Sequence, residues 1–87
     1  MEKNTPEKKF RAGAICATIW RNTVLRDGKQ DSYCTVSLER GYKNKSGEWQ
    51  NTSSLRSSDI PRASLVLQEA YKYLVMNGIE TAKEVSV

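Results

Sequence analysis

An Asp-Gly pair at positions 27 and 28, set between two runs of alternating residues, is the strongest constraint on what this chain can become. Both residue types tolerate the positive φ that a two-residue hairpin turn requires at its centre. FRAGAICATIWRN precedes the pair and SYCTVSLERGY follows it, both rich in the β-branched and aromatic residues that favour strands. A turn centred there sets Ile19 opposite Val36 and Ala17 opposite Leu38, and likewise Trp20 opposite Thr35 and Tyr33 opposite Asn22. The two members of each pair share a face, as register requires, because a one-residue slip would turn every side chain over.

A second turn signal, Ser46-Gly47, predicts a further hairpin into EWQNTSSLR with Leu38 opposite Leu55. The expectation is a three-stranded antiparallel meander. One face should carry Ile15, Ala17, Ile19, Cys34, Val36, Leu38 and Leu55, with Tyr42 and Trp49 on the same side by parity. The other should carry Ala14, Cys16, Thr18 and Trp20, then Tyr33, Thr35, Ser37 and Glu39, then Gln50, Thr52, Ser54 and Arg56.

The period changes in SSDIPRASLVLQEAYKYLVMNG. Ser58 or Asp59 can cap a helix start, Pro61 is tolerated in its first turn, and Asn77-Gly78 supplies a left-handed stop. Ile60, Ala63, Leu67, Ala70, Tyr71 and Leu74 follow the spacing of one buried stripe. The predicted fold is therefore α+β: a β-meander with one C-terminal helix on one face. Residues 10–78 form the expected domain, 1–9 a flexible N-terminal tail with Pro6 and no periodicity, and 79–87 a C-terminal tail. Leu65, Val75 and Met76 fall outside the main stripe. They are either singly exposed apolar residues or a second stripe for a partner helix in a homodimer.

Length sharpens that choice. At 87 residues the chain is near the lower limit for burying a self-sufficient core, and such domains often gain stability by oligomerising. No apolar run approaches the ~20 residues that span a bilayer. The N-terminus MEKNTPEKKF has no apolar segment behind its charges, so neither a membrane span nor a secretory signal is expected, and a cytoplasmic location follows. Cys16 and Cys34 are too few for a zinc site in a chain without histidine and are expected as reduced thiols. The lack of histidine removes the commonest general base, and the five glycines stand apart rather than in a phosphate loop. No catalytic role, cofactor, metal or small-molecule substrate is expected.

The net charge of +4 is unevenly placed. Lys8 to Arg56 hold ten Lys/Arg against four Asp/Glu, while Ser57 to Val87 hold three against four. A polyanionic partner and simple solubility both fit such a bias. The face opposite the helix fits the first, since Trp20 and Tyr33 lie close together there with Arg11, Arg21, Arg26, Lys29, Arg40, Lys43, Lys45 and Arg56 around them. Every base offers a π-face to stack on such rings, and cations neutralise phosphates, so unpaired nucleic acid is the matching ligand. An antiparallel sheet that leaves one face wet, with hydroxyls for β-propensity, remains open beside it. A homodimeric protein-interaction module, using a strand edge or the outer helix stripe, is the other alternative.

RAGAICATIW, then YCTVSLERGYK, then GEWQNTSSLRSSDIP, with basic strands ahead of a C-terminal helix, resemble in layout the single-stranded-DNA-binding transcriptional-coactivator fold. That group includes the positive-cofactor-four coactivators and the plant Whirly proteins, and the same runs are similar to small uncharacterised prokaryotic proteins. The likeness covers about Arg11 to Gly78. It implies a homodimer that binds single-stranded DNA across exposed strands. A likeness of fold carries no activity by itself.

Overall fold

A computed structural model describes residues 3–78. Four strands precede the helix, not three: β1 (Lys3–Ala12), β2 (Ile15–Arg26), β3 (Lys29–Lys43) and β4 (Trp49–Thr52). They form one antiparallel sheet in the order β1-β2-β3-β4. A 3-10 turn, Ser57–Asp59, leads into helix α1 (Ile60–Met76). No helix among the described residues is long and apolar enough to cross a membrane.

The extra strand corrects the expected N-terminal tail. The run expected as one strand breaks at Gly13 (φ +62), and Ala12 pairs with Ile15 across Gly13-Ala14. A glycine at the first central position, with the second at ordinary φ, fits a type II′ hairpin. The charged segment before it is held as a strand for three reasons. Phe10 and Ala12 alternate onto the core. Pro6 lies on an edge strand, where its missing N–H is tolerated. Glu7 is the extra residue at a register break between Pro6 and Lys8, and its carboxylate is tied down. The expected tail at 79–87 lies outside the described residues.

The β2–β3 pairing matches the sequence to the residue. Ile19 faces Val36, Ala17 faces Leu38, Trp20 faces Thr35 and Asn22 faces Tyr33. Asp27 (φ +50) and Gly28 (φ +76) make the two-residue turn with both centres at positive φ.

The β3–β4 pairing does not match. Arg40 faces Thr52, and Lys43 faces Trp49, one residue out of the expected register. The cause is loop length. Asn44 N–H donates to Glu48 O at 2.9 Å, leaving three residues, Lys45 to Gly47, in the loop. Gly47 (φ +81) takes the left-handed position that ends such a turn. Asn44 Oδ1 stabilises the loop by accepting from Ser46 N–H (3.0 Å) and Glu48 N–H (2.9 Å). A single added residue inverts the faces of β4, so Trp49 lies on the side away from the helix and Gln50 and Thr52 on the helix side. Leu55 lies beyond β4, partly buried against the core.

Helix α1 lies over β1 and β2. Ile15, Ala17 and Ile19 from β2 are buried against Ala63, Val66 and Ala70. The alanines let the helix sit close to the central strand. Full burial of Ile15 and Ile19 contributes roughly 1.5–3 kcal/mol each. The buried stripe thus runs Ala63, Val66, Ala70, with Tyr73 and Leu74 partly buried. The expected members Ile60, Leu67 and Tyr71 are exposed instead. The helix is rotated because Tyr73 is drawn toward β1, where its ring meets Phe10 edge-on at 6.1 Å and its hydroxyl donates to Glu7 Oε2 at 3.1 Å.

Candidate nucleic-acid interface

Strand alternation sorts the cations into two populations. Arg21 and Arg40 share parity with the core isoleucines and project to the helix side. Arg21 Nε donates to Glu7 Oε1 at 2.9 Å and its Nη1 to Ser32 Oγ at 3.3 Å. Arg40 Nε donates to Ser54 O at 3.2 Å and stands 3.4 Å from Asp59 Oδ2. Both therefore leave the group expected around the bare face. Arg56 also leaves the sheet: it lies between β4 and the helix, with its backbone N–H 2.8 Å and its Nε 3.3 Å from the same Asp59 oxygen. Asp59 is only 3% exposed, and hydrogen bonds from Arg56 together with the charges of Arg56 and Arg40 hold its carboxyl below the usual range. It does not cap α1 through its side chain, as the sequence suggested, but reaches back to the backbone of Arg56.

The helix-free face receives the rest. Arg11 from β1, Trp20 and Arg26 from β2, and Tyr33, Lys29 and Lys43 from β3 share that parity. Lys45 sits in the loop beside them. Lys9, opposite Thr18, and Trp49, opposite Lys43, belong to the face but were missed. Lys9 had a signal, since Lys9 and Arg11 alternate with Phe10 and Ala12. Trp49 was lost to the register slip. Five cations (Lys9, Arg11, Arg26, Lys29, Lys43) share the face with two acids, Asp31 and Glu39.

The rings form two stations. Trp20 Nε1 donates to Ser37 Oγ at 2.9 Å, one strand across and two residues along from its partner Thr35, so the indole lies down along the sheet. Thr18, beside it, is only 6% exposed, on a face no described element covers. Tyr33 is 41% exposed next to Asn22, whose amide donates to Thr35 Oγ1 at 3.1 Å. Trp49 makes the second station at 68% exposure, with Lys43 Nζ 5.5 Å from its ring centroid. Thr35 and Lys43 mark the two rows, and eight strand residues separate the stations by roughly 26 Å. Tyr42, on the helix side as expected, stacks with Arg40 at 5.8 Å.

The fold and the face together define a small α+β protein with an open, basic, aromatic sheet surface. Comparison with protein-family models, with curated proteins and with solved structures finds no match. No group of three or more metal-ligating side chains occurs among the described residues.

Proposed function

We propose that this protein is a non-enzymatic module that binds single-stranded DNA, or RNA loops, across the helix-free face of its sheet. The observation that carries the proposal is the placement of Trp20, Tyr33 and Trp49 on one uncovered face with Lys9, Arg11, Arg26, Lys29 and Lys43. Flat or exposed rings accept bases by stacking, and the interleaved cations accept the phosphates. A duplex keeps its bases out of reach of such rings.

Fluorescence anisotropy of labelled oligonucleotides tests it. Single strands are expected to bind in preference to duplex. If about five phosphates are neutralised, affinity falls about 100-fold between about 50 and 200 mM salt. Binding that favours duplex, or no binding at the lower salt, overturns the assignment.

A homodimer is supported by a different observation. The buried apolar core among the described residues is six residues, three of them alanine. Because α1 sits over β1 and β2, its far flank and the adjoining part of β3 stay uncovered. Ile60, Leu67, Tyr71 and Val75 on that flank, with Val36 below, are all 39% exposed or more. A second copy laid on this strip would enlarge a core too small for its chain. Leu65 (54% exposed) and Met76 (81%), expected in one stripe with Val75, fall on a separate line about three turns long on the outer side of the helix. Sedimentation of Tyr71→Lys against the parent protein is the check. The parent is expected as a dimer and the variant as a folded monomer, whereas a monomeric parent at high concentration removes the proposal.

A further inference from the structure

One end of the helix-free face holds an open depression of ≈ 360 Å³, next to the Gly13-Ala14 turn. Arg11, Gly41, Trp49 and Asn51 are among its lining residues. Gly41 stands on β3 directly opposite Asn51, at a position whose side chain would project into the depression. Neither conformation nor crowding demands a glycine there. Its φ is not in the left-handed region, unlike that of Gly13, Gly28, Gly47 and Gly78. A Cβ built on it would meet Asn51 Oδ1 at 3.7 Å and the carbonyls of Ala14 and Gln50 at 3.9 Å, all ordinary contacts. A glycine within a strand forfeits packing and chain stiffness, and it often marks a place where a ligand comes close to the backbone. The depression as a whole is within the volume range of small-ligand sites.

The walls match one kind of occupant. The indole of Trp49 lines the depression while Lys43, stacked over the ring at 5.5 Å, does not. The Asn51 amide offers a donor and an acceptor side by side, as the edge of a nucleobase does. Arg11 brings a fixed positive charge to the rim.

We propose that this depression seats one nucleotide of the bound single strand. The base enters over the bare backbone of Gly41, stacks on Trp49 and meets Asn51 at its edge, while Arg11 takes the adjoining phosphate. The proposal rests on the single-strand function above and adds to it a defined subsite, distinct from the Trp20/Tyr33 station.

Trp20 and Trp49 are the chain's two tryptophans, so Trp20→Phe leaves Trp49 as the sole indole reporter. In that background, an oligothymidylate of about twelve residues, a length within the range of common single-strand sites, is titrated at low salt. Trp49 emission and the anisotropy of a labelled copy are followed together. Emission is expected to change on binding. Adding Gly41→Val, which fills the floor without touching charge or aromatic rings, is expected to abolish that change and weaken binding about tenfold, with the far-ultraviolet circular dichroism of the parent. Asn51→Leu keeps the shape of the side chain but removes its donor and acceptor, is expected to weaken binding to a similar extent, and serves if Gly41→Val does not fold. Oligonucleotide that binds without changing Trp49 emission, and with affinity within about twofold in these variants, overturns the subsite and leaves the broader function standing. No binding to the parent protein overturns both.

Discussion

The two faces of this sheet use the same residue types to opposite ends. On the helix side, the guanidinium of Arg21 ends on Glu7, and that of Arg40 ends beside Asp59. On the helix-free side, Lys43 ends over an indole, and Arg11 ends at the rim of an open depression. What differs is the company the helix brings. Tyr73 fixes the carboxylate that holds Arg21, and the turn into α1 supplies Asp59 for Arg40 and Arg56. Arg21 and Arg40, facing the helix, are thus held by carboxylates, and under the proposed function the cations of the opposite face are the ones that meet phosphate. For these residues strand parity, more than charge alone, separates the two roles.

Three sets of substitutions, five in all, test that division. The largest effect belongs to the core. Ile19→Ala removes a fully buried side chain beneath the helix, and the loss should be about 2–5 kcal/mol in denaturant unfolding. The fraction that remains folded should bind single strands with unchanged affinity. A large loss of affinity per folded molecule would mean that the two faces are coupled through β2.

Next come the rings. Trp49→Ala and Trp20→Ala each remove a stacking surface worth ~1–3 kcal/mol per base, which is about a 5- to 150-fold loss of affinity. Trp49 is 68% exposed, so its removal should leave the unfolding midpoint in place. Trp20 also gives up its bond to Ser37, and a modest fall in stability should accompany its loss of binding. Equal stability costs for the two would contradict the stations as described.

The sharpest contrast compares one cation from each face. Lys43→Gln should lower the salt slope of binding by about 0.7, one phosphate's share for a single strand, without changing stability. Arg21→Gln should leave the slope alone and cost at most about 1 kcal/mol of folding, since its ion pair with Glu7 is partly exposed. A salt slope that falls for Arg21→Gln and not for Lys43→Gln would reverse the assignment of the faces.

Much of this arrangement was legible in the sequence, and the failures have physical causes. Asp27-Gly28 encodes its own turn type, so the pairing of β2 with β3 followed from two residues, and with it the faces of Trp20 and Tyr33. Ser46-Gly47 carries a similar signal but closes a three-residue loop, because Asn44 spends its side chain on the amides of Ser46 and Glu48. Nothing in the dipeptide announces that extra residue, and the cost was the face of Trp49. β1 was hidden differently. Its N-terminal half is charged and contains a proline, and it becomes a strand only through tertiary partners: the Glu7 bulge beneath Tyr73 and the packing of Phe10. Arg21 and Arg40 looked like contact residues because their carboxylate partners are 14 and 19 positions away in the chain. Gly41 could not be singled out at all, since its meaning lies in the space above it.

The smallest effect near neutral pH, and the most selective for the helix face, is that of acid. Hydrogen bonding from Arg21, and then from Tyr73, holds the Glu7 carboxyl below its ordinary value, as Arg56 does for Asp59. Groups lowered on folding contribute stability that is fully present above their unfolded values, near 4, and that is lost as pH falls through their lower folded values. The unfolding midpoint should therefore be level from about pH 8 to about pH 5 and drop below about pH 4. Asp59→Asn should flatten that drop while lowering the plateau, because the amide can no longer answer Arg40 and Arg56 with a charge. Tyr73 adds a weaker limb of opposite sign. Burial and its bond to Glu7 raise its hydroxyl's value, so its contribution is complete below about pH 10 and disappears as pH rises through the raised value. Tyr73→Phe should remove that alkaline limb and also shrink the acid drop, because the same hydrogen bond serves both ends. An acid drop unchanged by both Asp59→Asn and Tyr73→Phe would place the titrating groups elsewhere and dissolve the distinction between a pinned face and an open one.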